Sequence, residues 1–266
     1  LTFGKSDETS MKVRLKLASE LDRPFFIVME YVAHSKMLGG YSPSKFAEMI
    51  QRSPVALKDI GNIIAFDAFI NNVDRIPAVH DNEGNANNLL IVEESRIRPI
   101  DTNITAIDPQ NGISKIYYDK HLKKIDDFYS AMCSGEYERI QQALQTTREF
   151  LYRETAHDIG ANGCLLIAQG ARETIAKVQQ ITLLQSVDAL NMLISVVTED
   201  WGDVWANAVQ LIKVEYLRGV FDVIKRMRIM PITQRPSVPL EPSSVPMQDT
   251  ITILLAQYSC SDTEAL

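Results

Sequence analysis

The sequence predicts an α+β fold in which a short N-terminal β portion precedes a large, mainly helical lobe. An apolar run at residues 24–29 combines β-branched and aromatic side chains, which is typical of a buried strand. Two more short apolar runs, at 89–92 and 96–100, are separated by a polar turn and predict a hairpin. From about residue 121 onward, apolar residues recur at helical spacing, which predicts that the remainder is mostly helix.

Composition and charge exclude some classes of protein for this chain. The chain has 266 residues, of which 45% are hydrophobic and 23% charged, as in ordinary globular domains. It carries 27 Lys and Arg against 34 Asp and Glu, and this net charge of −7 argues against a general nucleic-acid binder. No apolar run reaches the roughly 18 residues that a membrane span needs. The cysteines are too widely spaced to define a disulfide framework or a zinc site, which favours a reducing intracellular location; they are Cys133, Cys164 and Cys260.

We divide the chain into three parts. Residues 1–32 form the remainder of the small β lobe and a hinge, and residues 33–230 form the large lobe, which is helical with one hairpin. Residues 231–266 form a proline-rich tail with room for one last short element. The chain starts at Leu1 without an initiator methionine or a signal peptide, so we expect a fragment whose N-terminal portion is truncated. Serines and prolines in the tail are typical of an extended linker; the prolines are Pro231, Pro236, Pro239, Pro242 and Pro246.

Helices are predicted from start and stop signals as well as from periodicity. Ser42 followed by Pro43 is a typical helix start. A second helix, from between residues 53 and 57 to about residue 71, is apolar almost all round and is expected to be buried. Pro77 limits how far that helix can extend, and residues 81–88 are loop by composition. Further helices are expected at 121–131, 135–144, 146–157, 162–178, 181–198 and 203–229.

Three polar residues stand where elements of this pattern end. Asp74 follows the buried helix, Asn88 directly precedes the first hairpin strand, and Asp101 directly follows the second. Because a hairpin brings the ends of its paired strands together, Asn88 and Asp101 are expected side by side. Amide and carboxylate oxygens are ligands that suit Mg²⁺, with water and phosphate completing its shell. Asp74, in the same loop, is placed to orient a hydroxyl nucleophile or to accept its proton.

This ordered set indicates phosphoryl transfer. The reaction uses a catalytic-loop aspartate to position the hydroxyl, and an asparagine and an aspartate to hold metal on the ATP phosphates. Taken singly, each residue is better explained as an ordinary turn residue, because Asp and Asn are common in turns. The order of the three residues, with their helix and hairpin context, favours the functional interpretation.

The motifs around these residues resemble the protein-kinase-like superfamily and, within it, the actin-fragmin kinase family of atypical protein kinases. Residues 28–32 look like an interlobe hinge, and the closest resemblance lies in the motifs at 69–75, 84–90 and 100–108. The resemblance covers residues 25–110 by motif and the helical remainder only in general character.

The resemblance implies a protein-kinase-like fold and an activity. That activity is transfer of the ATP γ-phosphate to threonine on actin, in complex with a fragmin-type actin-severing protein, in the cytoplasm or at the cytoskeleton. ATP and Mg²⁺ are the implied cofactors, and no nucleic acid or membrane span is expected. Asp74 is the implied catalytic aspartate, and Arg75 beside it either contacts a phosphate or stabilises the loop. The other implied site residues are the metal ligands Asn88 and Asp101 and the adenine-site residues Met29, the gatekeeper, Glu30 and Val32.

Several points stay open on the sequence alone. Asp74 and Asn88 are 14 residues apart, against about five in the common kinase motif, so Asn85 or Asn87 is an alternative metal ligand. No glycine-rich loop and no assured phosphate-binding lysine precede the hinge. The segment 102–115 is too short for a phosphorylation-controlled activation loop, and no such control is expected.

Two other functions fit the same residues. A phosphoinositide kinase uses the same set, and Asp101-Thr102-Asn103 in place of Asp-Phe-Gly looks like such relatives. Its lipid substrate would require a basic membrane-facing surface, which the acidic balance disfavours. A nucleotide-binding pseudokinase that serves as a scaffold is the second alternative, because no upstream phosphate-binding lysine is assured.

Overall fold

The structure is a computed structural model that describes residues 32–80, 82–102, 105, 107, 109–110, 112–182, 185, 187–188, 191 and 214–233. Within these residues it contains one three-stranded antiparallel sheet and seven α-helices, which confirms the predicted α+β class. Several predicted features lie outside the described residues. They are the strand at 24–29 with Met29 and Glu30, most of the helix at 181–198, the first part of the helix at 203–229, and the tail beyond residue 233.

The sheet is built on the predicted hairpin. Strand β2 (Leu89–Val92) pairs with β3 (Arg96–Pro99) on one side and with the short β1 (Lys36–Met37) on the other. The turn between β2 and β3 places Glu93 and Glu94 in the left-handed region, with φ of 52° and 49°. Two successive positive φ values match the right-handed twist of the strands, so the turn closes the hairpin without splaying it.

The first helix begins where the sequence predicts, and the second has the predicted bounds to within a few residues. Helix α1 (Pro43–Arg52) starts where the Ser42 hydroxyl accepts a hydrogen bond from the Lys45 amide, 3.4 Å away. Helix α2 (Val55–Ile70) has few polar residues and is buried along most of its length, as its sequence predicts. It ends at Asn71, whose φ of 55° turns the chain out of the helix.

The remaining helices differ from the predictions mainly at their ends. The first begins at Gly112 and not near residue 121, because its first turns carry exposed apolar side chains such as Ile116 and Tyr117 that blur the periodicity. The last described helix ends at Lys225, before the predicted residue 229. These helices are α3 (Gly112–Cys133), α4 (Tyr137–Ala143), α5 (Gln145–Thr155), α6 (Gly160–Gln180) and α7 (Val214–Lys225).

Two sets of hydrogen bonds attach other elements to the helical core. Asp59 on α2 accepts hydrogen bonds from the Arg96 guanidinium at 2.7 and 2.8 Å and from the Ile97 amide at 3.0 Å. This satisfies an edge amide of β3 and fixes the hairpin on α2. Elsewhere, the Arg172 guanidinium donates to the carbonyl oxygens of Met132 and Met230, which holds the segment after α7 in place.

Helices α2 and α6 pack through two glycines. A Cβ atom added at Gly61 would lie inside van der Waals contact with the carbonyl oxygen of Ile167, and one added at Gly170 would do the same with Lys58. The backbones of the two helices therefore approach as closely as they can at these positions.

In the described part of the chain, no helix combines the length and the apolar character that crossing a bilayer requires.

Gly61→Ala and Gly170→Ala should each lower the free energy of unfolding by about 3 kcal/mol, because the added methyl group forces the two helices apart. Urea unfolding followed by far-UV circular dichroism measures this. Gly112→Ala is the matched control, since nothing lies within 4 Å of its added Cβ. If Gly61→Ala were as stable as Gly112→Ala, the close approach of the helices would be wrong.

Candidate functional site

The loop after α2 presents Asp74 at the surface and holds its backbone from beneath. The Asp74 amide donates to the side-chain oxygen of Asn72, 3.2 Å away. The side-chain nitrogen of Asn72 in turn donates to Asp67 Oδ1, also at 3.2 Å. Asn72 is buried, whereas Asp74 is exposed. The loop thus has a fixed inner side and an accessible carboxylate on its outer side.

Asn88 contacts Asp74 directly, although the two are 14 residues apart in the chain. Its side-chain nitrogen donates to the Asp74 carbonyl oxygen at 3.0 Å and to Asp74 Oδ2 at 3.2 Å. A short 3₁₀ turn (Ala86–Asn88) delivers Asn88 to the start of β2. Because the amide nitrogen faces Asp74, the amide oxygen of Asn88 points away from that carboxylate.

The neighbouring asparagines have different roles. Asn85 Oδ1 accepts a hydrogen bond from the Asn87 amide at 3.1 Å, which caps the 3₁₀ turn. The Asn87 side-chain oxygen lies beside Gly39. Of the three asparagines that the sequence left open as metal ligands, Asn88 is the one with a hydrogen bond to Asp74.

Asp101 lies between two anchored neighbours at the end of β3. The Ile100 amide donates to the Asn88 carbonyl oxygen at 3.0 Å, and the Thr102 hydroxyl accepts from Arg75 Nη2 at 2.9 Å. Asp101 itself is exposed and has a φ of 53°, a conformation that Asp tolerates better than most residues. The neighbours of Asp101 therefore link it to Asn88 on one side through a backbone hydrogen bond, and to Arg75 on the other through a side-chain hydrogen bond.

Arg75 joins the loop to the core. It is fully buried, and its Nη1 lies 2.5 Å from Asp67 Oδ1 on α2. Burial raises the pKa of Asp67 to about 6, and the Arg75 charge acts in the opposite direction, so the carboxylate is still ionised at neutral pH. Of the two roles considered for Arg75, these contacts fit stabilisation of the loop, because a buried guanidinium is not accessible to a phosphate.

Sequence reasoning missed the two supporting carboxylates. Asp59 and Asp67 both lie on α2, and both are buried. The signal that would have found them is a pair of acidic residues in an otherwise apolar helix, since a buried charge requires a partner. Their partners, Arg96 and Arg75, are exposed in one case and buried in the other.

The oxygen donors present fit a magnesium ion better than a transition metal. Within the described residues, no group of three or more His, Cys, Asp and Glu side chains is placed to hold a metal. Asn88 and Asp101 offer one amide and one carboxylate, and Mg²⁺ usually takes one or two protein ligands together with phosphates and water.

At the predicted hinge, the structure describes Val32 alone of the three adenine-site residues. Val32 is partly exposed, and its carbonyl oxygen accepts a hydrogen bond from the Ser35 hydroxyl at 2.8 Å. Met29 and Glu30 lie outside the described residues.

Comparison with known proteins gives two matches. The family model described as actin-fragmin kinase, catalytic, matches residues 3–175, which is more than half of the chain. A curated Dictyostelium discoideum protein, whose name assigns it provisionally as an actin-fragmin kinase, is 23% identical over 242 residues. The match covers 84% of this chain and 54% of the relative, so the chain spans about half the length of that relative.

Asp67→Asn should lower the free energy of unfolding by about 3 kcal/mol, because it leaves the buried Arg75 charge without its carboxylate. Chemical unfolding measures the change. The matched control is Asp127→Asn, which removes an exposed carboxylate and should alter stability by less than about 0.5 kcal/mol. Equal stabilities for the two variants would contradict the importance of the buried pair.

Proposed function

Because this chain belongs to the actin-fragmin kinase catalytic family, we propose that it is a protein kinase that transfers the γ-phosphate of ATP to a threonine hydroxyl. The acceptor we propose is actin in complex with a fragmin-type severing protein, in the cytoplasm or at the cytoskeleton. The observation that carries the proposal is the pair of hydrogen bonds by which Asn88 meets Asp74. They bring together two of the polar residues that phosphoryl transfer uses.

Asp74 has the exposure and the rigid backbone that a catalytic aspartate requires. Its carboxylate orients the acceptor hydroxyl towards the γ-phosphorus. The hydroxyl oxygen forms the new bond to phosphorus while the bond to the leaving β-phosphate oxygen breaks. The hydroxyl proton passes to the Asp74 carboxylate. Positioning of the reactants is the main contribution of the protein to such a step.

Asn88 and Asp101 are the residues that would hold Mg²⁺. When bound, the ion neutralises charge on the ATP phosphates. The hydrogen bonds to Asp74 fix the rotation of the Asn88 amide, so its oxygen is held ready for the ion. Arg75 is a positioning residue in this scheme, since its contacts to Asp67 and Thr102 hold the backbone on either side of the site. We place adenine, by the family resemblance, against Met29, Glu30 and Val32.

Asp74→Asn should reduce kcat by about a hundredfold or more, because the amide has the size of the carboxylate but does not accept the proton. The measurement is transfer of radiolabelled phosphate from magnesium-ATP to the actin–fragmin complex by the full-length protein, with the labelled residue identified as threonine. Asp127→Asn is the control and should retain wild-type kcat.

The outcomes separate the alternatives. Label on actin threonine that is lost in Asp74→Asn supports the proposal. Label on phosphoinositide vesicles in place of actin would identify a lipid kinase. ATP binding without transfer to either acceptor would identify a scaffold.

Asn88→Ala should raise the Mg²⁺ concentration for half-maximal activity by about tenfold or more, because the ion loses a ligand. Asn87→Ala is the matched control, since Asn87 is the exposed neighbour whose side chain lies beside Gly39. A magnesium titration of kinase activity at saturating ATP, with the folded fraction of each variant checked by circular dichroism, measures the difference. A larger effect of Asn87→Ala would transfer the ligand role to Asn87.

A further inference from the structure

The chain between Asp74 and Asn88 contains a loop that closes on itself. It leaves the site at Arg75 and returns at Asn85, whose amide donates to the Arg75 carbonyl oxygen, 2.8 Å away. We call its described residues, 75–80 and 82–85, the closed loop. The Asn88 amide then donates to the Asn85 carbonyl oxygen at 3.1 Å, within the short 3₁₀ turn. The position of Asn88 relative to Asp74 therefore depends on how firmly the closed loop is held.

Helix α5 holds the outgoing limb of the closed loop through one buried hydroxyl. The Thr147 side chain is fully buried, and its Oγ1 donates to the Pro77 carbonyl oxygen at 2.7 Å. Pro77 is buried as well. An unpaired carbonyl group away from water is costly, so this hydrogen bond keeps the outgoing limb against α5.

The return limb packs against the same helix. Gly84 has a φ of 78°, and a Cβ atom added there would lie 2.6 Å from the Phe150 ring and 2.7 Å from Pro77. The backbone at Gly84 is thus pressed between α5 and the outgoing limb. One turn further along α5, the Arg153 guanidinium lies 5.3 Å from the centroid of the Phe150 ring and donates to the Glu83 carbonyl oxygen at 2.6 Å.

This support is separate from the one that α2 provides. The Asp67 carboxylate of α2 binds Arg75, where the closed loop begins. Helix α5 instead contacts the body of the loop, on both limbs and before the chain reaches Asn88. The α5 side chains involved stand three residues apart, as neighbours along one face of a helix do; they are Thr147, Phe150 and Arg153.

We propose that α5 is a second support of the candidate site and that Thr147 is a positioning residue, which sets Asn88 against Asp74 through the closed loop. The inference rests on the proposed kinase function and adds to it the role of a helix outside the site. The Asp74 backbone is held independently by Asn72. Loss of the Thr147 hydrogen bond therefore acts mainly on Asn88, and a metal ligand that is no longer fixed binds its ion less well.

The kinetic test compares two buried hydroxyl groups of one helix. Thr147→Val should raise the Mg²⁺ concentration for half-maximal activity of the full-length protein about fivefold, at saturating ATP and with the actin–fragmin complex as acceptor. Thr147→Ser keeps a hydroxyl and should stay within about twofold of wild type. Thr155→Val is the matched control, because the buried Thr155 hydroxyl donates to the Leu151 carbonyl oxygen of α5 itself, 2.6 Å away. It should leave the Mg²⁺ dependence unchanged.

Hydrogen exchange reports on the closed loop without any need for activity. The amides of Asn85 and Asn88 are protected by the hydrogen bonds that close the loop and its 3₁₀ turn. Mass spectrometry of peptides that cover residues 83–90 should show exchange about tenfold faster in Thr147→Val than in the wild type or in Thr155→Val.

A surface variant extends the test to a site that does not disturb the core. Arg153→Gln removes the exposed contact to Glu83 and should speed exchange at residues 83–90 about threefold. Arg148→Gln is its matched control, because Arg148 lies on the same helix and pairs with Asp158 at 2.6 Å. It should leave exchange at residues 83–90 as in the wild type.

The outcomes keep this proposal distinct from the kinase proposal. Normal phosphate transfer with the same Mg²⁺ dependence in Thr147→Val and Thr155→Val would refute the role of Thr147 alone. So would an equal effect of Thr147→Val and Thr147→Ser, or unchanged exchange at residues 83–90 in both Thr147→Val and Arg153→Gln. Faster exchange in these two variants, without any phosphate transfer by the wild type, would refute the kinase proposal and retain the support of the loop by α5.

Discussion

The buried ion pair between Asp67 and Arg75 is the constraint on which the geometry of the candidate site depends. Burial of two charges is costly, and such a pair need not add net stability to the fold. The pair instead fixes the position of the loop, because a guanidinium with fixed partners restrains the backbone of its own residue. Arg75 reaches α2 through Asp67 and the end of the hairpin through Thr102. These two contacts of Arg75 therefore also restrain the neighbouring residue, Asp74.

The hairpin depends on the same helix through a second carboxylate. Asp59 receives both the Arg96 guanidinium and the Ile97 amide, so β3 is fixed to α2 by charge and by a backbone hydrogen bond. Loop and hairpin are thus two independent attachments to one buried element. This explains how residues as distant in sequence as Asp74 and Asn88 meet with hydrogen-bond geometry. Helix α2, through its two buried carboxylates, therefore holds both the loop and the hairpin that form the site.

Much of this architecture could be predicted from the sequence, because apolar periodicity and the residues that start or end helices and turns report local structure well. The hairpin follows from its two apolar runs, and α2 from its continuous apolar surface. Residue spacing says nothing about partners distant in sequence, so the roles of Asp59 and Asp67 were missed. The hydrogen bonds between Asn88 and Asp74 could not be predicted for the same reason. The early start of α3 was missed because Ile116 and Tyr117 face solvent. The functional roles of the site residues stay predictions.

The glycine contact between α2 and α6 has a consequence for motion. Backbones that touch at Gly61 and Gly170 have no side-chain layer that could yield, so the two helices can neither slide nor rotate against each other without a clash. They form a rigid frame, and the loop that bears Asp74 moves with it. Under the proposed kinase function, an acceptor hydroxyl would have to approach an aspartate whose loop is held by this frame.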